Sequence, residues 1–325
     1  MPIEYSEFST RANGGTERVA RELEKRLPAE LMEKVQIIPS RLRGKLDSTK
    51  IRIFWAHDCA VDQEAAILKN GGWRKFHRIV FVSHTQKLEY QMLFQIPSSR
   101  CHVLLNAINP IPVSEEKYDG IRLVYTPTPH RGLGILYAVF DQLTKNRPDL
   151  PLHLDVFSSF KLYGWDQEDE KYRALFDLLE QHPKITWHGT VDHDVLTTSL
   201  AKSHIFAYPS IYQETACICL MEAMSAGLLC VHSDLGALPE TAANWTFMYP
   251  YHEDQSKHAG QFYATLEAAI DNLSMTKDHL AAQKMYADEV YGWDKRAAQW
   301  EGFIRSILNL PLQIEGPNDF VYKVG

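Results

Sequence analysis

The sequence predicts an α/β protein built from two doubly wound parallel sheets in succession. Short apolar runs rich in Val, Ile, Leu and Phe alternate with helical patterns along most of the 325 residues. This alternation is typical of parallel sheets that carry helices on both faces. A polar stretch with two prolines, residues 106–120, interrupts the alternation, which then restarts. The length by itself also favours about two domains.

The first domain is predicted over residues 1–110. Its strands are predicted over residues 3–8, 35–39, 51–56, 78–82 and 102–105. Its helices are predicted over residues 16–27, 62–69 and 86–93.

The second domain is predicted over residues 111–292. Its strands are predicted over residues 121–125, 152–157, 185–188, 204–208 and 228–232. Helices are predicted over residues 133–143, 168–181, 195–201, 216–226, 238–243, 256–273 and 277–290, and a last helix over about 295–308. The tail, residues 311–325, has no periodicity and is left unassigned. Ligands of open α/β sheets bind at the carboxyl ends of the strands, so we expect a site in a cleft between the two sheets.

Composition excludes several classes of protein. Lys and Arg number 34 and Asp and Glu 41, a net charge of −7, which argues against a dedicated nucleic-acid binder. A hydrophobic content of 45% excludes general disorder. No apolar stretch approaches the roughly 20 residues of a membrane span, and no signal peptide is evident. Five cysteines, an odd number, favour reduced thiols, so we expect a cytoplasmic protein.

A pair of glycines follows the first predicted strand. Gly14 and Gly15 stand between Asn13 and Thr16, where a helix is predicted to begin. Adjacent glycines allow backbone N–H groups to approach a ligand, and a helix N-terminus favours an anion. The alternative is a simple glycine turn with Thr16 as the N-cap of the helix.

Two glutamates eight positions apart follow the predicted strand 204–208. If both Glu214 and Glu222 belong to one helix, their positions differ by roughly 12 Å along the axis and about 80° around it. That separation suits one extended ligand contacted at both ends. Glu222 lies among apolar residues, and a buried carboxylate without a partner favours a polar ligand. The alternative is one acid near the helix N-terminus and one solvated glutamate.

Several motifs together carry a resemblance to a known family. The segment "PSIYQETACICLMEAMSAGLLCVHSDLGALPE", with its Glu-x7-Glu pattern, resembles the retaining nucleotide-sugar glycosyltransferases of family 4, which have the GT-B fold. "NGGTERVARELEKRL", "VLLNAINP" and "VYTPTPHRGLGIL" resemble further motifs of that family. "GWDKRAAQWEGF", residues 292–303, resembles the family's C-terminal helix that crosses back to the first domain, so residues 293–310 are predicted to form that helix.

The resemblance implies roles for individual residues. Glu214 would contact hydroxyls of the donor sugar, and Glu222 would hold the nucleotide ribose. Arg131 would neutralise the diphosphate, for which the alternative is a solvated arginine at a helix start. Gly15, with Gly14 beside it, would let the first loop approach the donor. The backbone of Thr215, Ala216 and Cys217 would meet the phosphates at a helix N-terminus.

The sequence also departs from the family pattern. No second basic residue accompanies Arg131, and Lys161 is the substitute that we consider. Thr215, Ala216 and Cys217 replace the usual Gly-Phe-Gly and would narrow the choice of donor. His57 follows the predicted strand 51–56, where the family often places a histidine near the donor sugar; the alternative is a surface histidine.

The resemblance implies a retaining, metal-independent hexosyltransferase that needs no cofactor. Its partners would be a nucleotide-sugar donor and a hydroxyl acceptor on a glycan, lipid or small molecule, with no nucleic acid and with room for peripheral membrane contact. The alternatives are a GT-B sugar-nucleotide epimerase or a non-catalytic nucleotide-sugar-binding protein. We interpret Cys217 and Cys219 as buried residues rather than zinc ligands. We interpret Trp293 and Trp300 as residues of core or interdomain packing rather than of sugar stacking.

Overall fold

The computed structural model describes residue 3, residues 14–42 and residues 44–313. The strand predicted over residues 3–8 therefore lies outside the described residues except for Ile3, which forms a parallel bridge with Ile37. Asn13 and the tail beyond residue 313 also lie outside them.

The described residues form a succession of strands and helices with the following bounds. The strands are β1 (Val35–Pro39), β2 (Ile51–Ala56), β3 (Arg78–Phe81), β4 (Cys101–Val103), β5 (Ile121–Tyr125), β6 (Leu152–Val156), β7 (Ile185–Trp187), β8 (Ile205–Tyr208), β9 (Leu229–Ser233) and β10 (Phe247–Tyr249). The helices are α1 (Gly15–Arg26), α2 (Ala29–Met32), α3 (His84–Phe94), α4 (Leu133–Asn146), α5 (Arg173–Gln181), α6 (His193–Lys202), α7 (Ile218–Ser225), α8 (Leu238–Ala242), α9 (Gln255–Asp271), α10 (Lys277–Tyr291) and α11 (Trp293–Ile307).

The first compact unit comprises Ile3, residues 15–106 and residues 294–313. Its strands form a parallel sheet in the order β1-β2-β3-β4. Successive side chains of a strand face opposite sides of the sheet. Phe54 accordingly belongs to an apolar cluster with Phe81 and Tyr90, whereas its neighbour Trp55 packs against Trp300 of α11 at 4.9 Å between ring centroids. The last helix of the chain thus completes the core of the first unit.

The second unit comprises Gly14 and residues 107–293. Its six strands are parallel and follow the order β10-β9-β8-β5-β6-β7. The chain order reverses between β5 and β8, which is the topological switch point of this sheet. Such a point is where open α/β sheets place their ligands.

The predicted α/β class with parallel sheets is confirmed. The strands β1, β2 and β5 have the predicted bounds, because strands buried on both faces read as continuous apolar runs. The helix predicted over residues 62–69 is wrong: Gln63–Lys75 forms 3-10 turns, which left-handed Asn70 and Gly71 interrupt. The three-residue strand β10 was not predicted, since its apolar run is very short. In the described part of the chain, no helix is long and apolar enough to cross a membrane.

Candidate functional site

Two charged side chains meet at the switch point of the second sheet. Arg131 lies in the loop after β5, and Glu214 lies in the loop after β8, the neighbouring strand. A guanidinium nitrogen of Arg131 donates a hydrogen bond to Glu214 Oε1 over 2.8 Å. The Glu214 side chain is 5% exposed and that of Arg131 22%. The alternative of a solvated arginine is therefore wrong.

Tyrosines surround this ion pair. The Tyr208 hydroxyl donates to the same Glu214 oxygen over 2.6 Å, and the Arg131 guanidinium lies 4.1 Å from the ring centroid of Tyr212. Burial alone would lower the pKa of Arg131, but the charge of Glu214 and the nearby tyrosines outweigh it, so this pKa is raised. The Arg131 Nε–H is buried without an acceptor among the described residues. An orphaned charged donor favours an anionic ligand at this point.

Two glycines allow the loops of this site to approach one another. Gly132 has φ of +126°, and a Cβ atom there would lie 2.1 Å from the carbonyl oxygen of Pro209. Gly236 has φ of +65°, and its neighbour Ala237 donates its N–H to the Glu214 carbonyl over 2.8 Å. The backbone around Glu214 is therefore held from two sides by loops that only glycine permits.

The helix that follows Glu214 begins later than predicted. Helix α7 starts at Ile218, with Cys217 as its N-cap residue, so Glu214 lies in the preceding loop. The helical rise that predicts roughly 12 Å between Glu214 and Glu222 therefore does not apply to residues 214–217. The loop forms because Glu214 pairs with Gly236 in a parallel bridge instead of entering the helix.

Glu222 lies inside α7 and is buried, as predicted. It is 3% exposed, and its Oε1 is 2.8 Å from Nε2 of His193, the first residue of α6. The alternative in which Glu222 is a solvated glutamate is therefore wrong, and His193 is a protein partner of its carboxylate. Sequence reasoning missed His193, Tyr208 and Tyr212, because no local spacing indicates which distant side chain reaches a carboxylate.

The remaining candidates of the second unit differ in exposure. Ala216 and Cys217 are buried at the start of α7, and burial raises the pKa of the Cys217 thiol. Lys161 is exposed in the 3-10 turn after β6. Its backbone N–H donates to the hydroxyl of Ser159 over 3.0 Å.

His57 lies at the carboxyl end of β2 in the first unit. It is 8% exposed, so the alternative of a surface histidine is wrong. Its backbone N–H donates to the hydroxyl of Ser40 over 2.7 Å, and its ring lies 4.4 Å from that of Trp55. Burial lowers the pKa of His57 to about 3, so the imidazole is neutral at physiological pH.

The glycine pair stands at the start of α1. Gly15 is the first residue of the helix, and Gly14 directly before it is buried. Thr16 lies inside the helix, so the alternative in which Thr16 is the N-cap is wrong.

The other chemical alternatives concern metals and aromatic residues. In residues 14–42 and 44–313, no group of three or more His, Cys, Asp or Glu side chains could hold a metal ion. The five cysteines are free thiols. Trp293 and Trp300 are 4% and 0% exposed, which confirms them as core residues.

Comparisons with known proteins agree with this geometry. Residues 116–272 match the family described as Glycosyl transferases group 1. One component of the human phosphatidylinositol N-acetylglucosaminyltransferase is 24% identical over 173 residues. That match covers 50% of this chain and 33% of the human protein, so the chain spans about a third of its relative.

Three solved structures show the same fold. A glycosyltransferase from Rickettsia africae ESF-5 has a TM-score of 0.65 at 13% identity, covering 91% of this chain and 81% of its own. Anabaena HepE in complex with UDP-glucose has a TM-score of 0.65 at 12% identity, covering 89% and 82%. Sucrose-phosphate synthase from Thermosynechococcus elongatus has a TM-score of 0.62 at 14% identity, covering 90% and 78%. The chain therefore has the GT-B fold, and its residues 116–272 are similar to the group 1 glycosyl transferases.

Proposed function

We propose that the protein transfers a sugar from a nucleoside diphosphate sugar to an acceptor hydroxyl, with retention of the anomeric configuration. The observation that carries this proposal is the buried pair of Arg131 and Glu214 at the switch point of the second sheet. A guanidinium and a carboxylate side by side provide one group for a diphosphate and one for sugar hydroxyls. The matched family domain covers both residues.

Arg131 binds the diphosphate. Its planar fork suits two phosphate oxygens, and its buried Nε–H has no acceptor among the described residues. Because the other side of the fork holds Glu214 when no ligand is bound, diphosphate binding competes with Glu214 for Arg131. The diphosphate thereby frees the Glu214 carboxylate for the donor sugar.

The second carboxylate holds the nucleotide ribose. Glu222 is oriented by His193 at 2.8 Å, and a ribose hydroxyl can donate a hydrogen bond to its carboxylate. The backbone of Thr215, Ala216 and Cys217 leads into α7, whose N-terminus favours the phosphates.

In the chemical step, the bond between the anomeric carbon and the leaving phosphate oxygen breaks, and its electron pair goes to the diphosphate. The acceptor oxygen forms its bond to the anomeric carbon on the same face, and its proton passes to the departing phosphate. Arg131 stabilises the charge that develops on the diphosphate. This step requires no cofactor, and we propose that it requires no metal.

Four further residues have proposed roles toward the donor. His57, which is neutral, would exchange a hydrogen bond with a sugar hydroxyl. Gly14 and Gly15 would let backbone N–H groups approach the donor at the start of α1. Lys161 would act as a second phosphate cation only after its exposed side chain reorients.

The partners of this activity are a nucleotide sugar and a hydroxyl on a glycan, lipid or small molecule. The name of the human relative includes N-acetylglucosaminyl transfer, and the Anabaena structure holds UDP-glucose, so UDP-GlcNAc and UDP-glucose are the first donors to test. The five free thiols support a cytoplasmic location.

The experiment is to incubate the protein with each donor, with and without a panel of hydroxyl acceptors, and to measure released nucleoside diphosphate. Transfer should give an α-linked product from an α-linked donor, as seen by NMR, and should persist in EDTA. Conversion of the donor to an isomer without diphosphate release would indicate the epimerase instead. Stabilisation by a donor without any turnover would indicate a binding protein.

A further inference from the structure

His130 lies in the loop after β5, directly before Arg131. Its ring stacks on that of Phe160, with 5.3 Å between the centroids and 18° between the planes. It also meets the ring of Tyr212 at 5.3 Å and 89°. The guanidinium of Arg131 lies 4.1 Å from the centroid of the same Tyr212 ring. His130 and Arg131 therefore share a neighbour at the switch point of the second sheet.

Hydrogen bonds of the backbone hold the loop that carries His130. The Arg131 N–H donates to the Thr128 carbonyl over 3.1 Å, and the Tyr125 hydroxyl donates to the same carbonyl over 3.0 Å. The Ile211 N–H donates to the Arg131 carbonyl over 3.3 Å. In contrast, Nδ1 of His130 is buried without a hydrogen-bond partner among the described residues. Because a buried polar atom without a partner costs free energy, this nitrogen favours a ligand.

The surroundings of His130 keep its imidazole neutral. Burial, and then the charge of Arg131, lower the pKa of His130 to about 4, whereas the charge of Glu214 raises it. The other titratable side chains that contact this ring or belong to the turn stacked on it are Tyr212, Lys161 and Tyr163. A diphosphate at Arg131 brings several negative charges next to the ring. The repulsion that disfavours the imidazolium is then replaced by attraction.

We infer that His130 is the second cation of the diphosphate site: it takes up a proton from the solvent when a diphosphate binds at Arg131 and, as an imidazolium, donates a hydrogen bond to it. Because His130 acts on the same diphosphate, its role rests on the proposed function of Arg131. The imidazolium and the guanidinium together stabilise the charge that develops on the leaving diphosphate. The proton returns to the solvent when the diphosphate leaves. His130 thereby supplies the charge for which Lys161 was the candidate in the sequence.

Calorimetry with inorganic pyrophosphate, in two buffers of different ionisation enthalpy, measures both the Kd and the number of protons taken up. At a pH of about 5.5, a group with a pKa of about 4 is almost entirely neutral in the free protein. His130→Phe keeps an aromatic ring against Phe160 and Tyr212 but cannot be protonated. The parent should take up close to one proton more per pyrophosphate than His130→Phe, and should bind at least about tenfold more tightly. Since binding raises the pKa of His130, this difference in affinity should shrink as pH rises to about 7.5.

Two further variants separate the charge of the ring from its other properties. His130→Gln keeps a neutral donor and acceptor, so its proton uptake should match that of His130→Phe. His279→Gln removes an exposed histidine of the same unit and should bind pyrophosphate and take up protons like the parent. His130→Phe should melt at least as high as the parent, because it removes a buried nitrogen without a partner.

The outcomes distinguish His130 from the site as a whole. Equal proton uptake in the parent and His130→Phe would overturn the role of His130. Pyrophosphate binding that weakens in Lys161→Gln and not in His130→Phe would place the second charge on Lys161 instead. No pyrophosphate binding in the parent, or unchanged binding in Arg131→Gln, would contradict the proposed function of Arg131 itself.

Discussion

The ionisable side chains near the carboxyl ends of the two sheets differ in whether an oppositely charged partner offsets their burial. In the second unit these groups are paired: Arg131 lies 2.8 Å from Glu214, and His193 lies 2.8 Å from Glu222. The charge of Glu214 and the nearby tyrosines raise the pKa of Arg131 although burial would lower it. Arg131 therefore keeps its charge in the absence of a ligand.

In the first unit, burial shifts the pKa values of the ionisable groups and no described partner fully offsets it. Burial lowers the pKa of His57 to about 3, and it raises the pKa values of Glu17 and Asp58. Arg41 is 4.0 Å from the Asp58 carboxylate and lowers this pKa too little to offset the burial. Each shift moves its group toward the neutral form.

The difference separates two kinds of ligand chemistry. Paired charges can be exchanged for the charges of a diphosphate at little cost, whereas neutral buried groups suit uncharged hydroxyls. We therefore expect the second unit to bind the anionic part of the donor and the first unit to recognise hydroxyls. Substitutions in each unit test this difference.

Among these substitutions, removing Arg131 should have the largest effect on turnover and stability. Arg131→Ala should lower kcat by about 10²–10³, as for loss of one preorganised donor to developing charge. It should also lower stability by about 3–5 kcal/mol, because Glu214 is left buried and unpaired. Arg131→Lys should recover part of both. The measurements are steady-state transfer and thermal melting. If Arg131→Ala turns over within a few-fold of the parent, another cation neutralises the diphosphate, and Lys161 is the next residue to substitute.

A double variant separates the two effects of Arg131. Arg131→Gln combined with Glu214→Gln removes both buried charges, so its melting temperature should exceed that of Arg131→Gln alone. Its turnover should stay as low. Recovery of turnover together with stability would show that the pair acts only through folding.

Removing the charge of Glu214 alone should uncouple binding from turnover. Glu214→Gln should lose turnover by about 10² or more, because the donor sugar loses its charged acceptor. It should bind nucleoside diphosphate more tightly than the parent, since Arg131 no longer has a competing carboxylate. Calorimetry and steady-state transfer test this, with the exposed Glu253→Gln as control. Weaker diphosphate binding would contradict the competition between Glu214 and the diphosphate.

The pair at Glu222 should govern nucleotide affinity. Glu222→Ala should raise the Kd for a nucleoside diphosphate by about 10- to 100-fold, as for loss of a charge-assisted hydrogen bond. His193→Ala should have a smaller effect, because the histidine orients Glu222 rather than contacting the ribose, and His193→Gln should recover it. Equal affinity in Glu222→Ala and the parent would exclude the ribose role.

Gly132 should test how closely the loops of the charged site must approach. Gly132→Ala should cost about 1–3 kcal/mol of stability, because φ is +126° and the new Cβ would lie 2.1 Å from the Pro209 oxygen. The matched control is Gly134→Ala two positions later in α4, where nothing lies within 4 Å. Its stability should equal or exceed that of the parent. Similar melting of both variants would remove the argument for a tight loop.

The neutral state of His57 should make the stability of the protein depend on pH. Since its pKa is about 3 in the folded protein and near 6.5 in the unfolded chain, only the unfolded chain takes up a proton between these values. The parent should therefore lose stability as pH falls below about 6.5, by roughly 2 kcal/mol at pH 5 from this group. His57→Gln should show a correspondingly smaller loss in denaturant titrations at pH 7 and pH 5. An identical loss in both proteins would mean that His57 is protonated in the folded state.

The fold class and the positions of the main strands follow from the sequence alone. The runs at residues 35–39, 51–56 and 121–125 are largely apolar, and a parallel strand covered on both faces requires such a run. The burial of Glu222 is equally readable from the apolar residues around it. These features depend on neighbours in the chain, which the sequence displays directly.

Tertiary structure alone decided which side chains meet. Arg131 and Glu214 are 83 positions apart, and His193 and Glu222 are 29 apart. Their pairing depends on the placement of β8 beside β5 and on where α7 begins, which no local spacing encodes. Two charged groups pair only when they lie close in space, and the packing of the sheets and helices determines that distance.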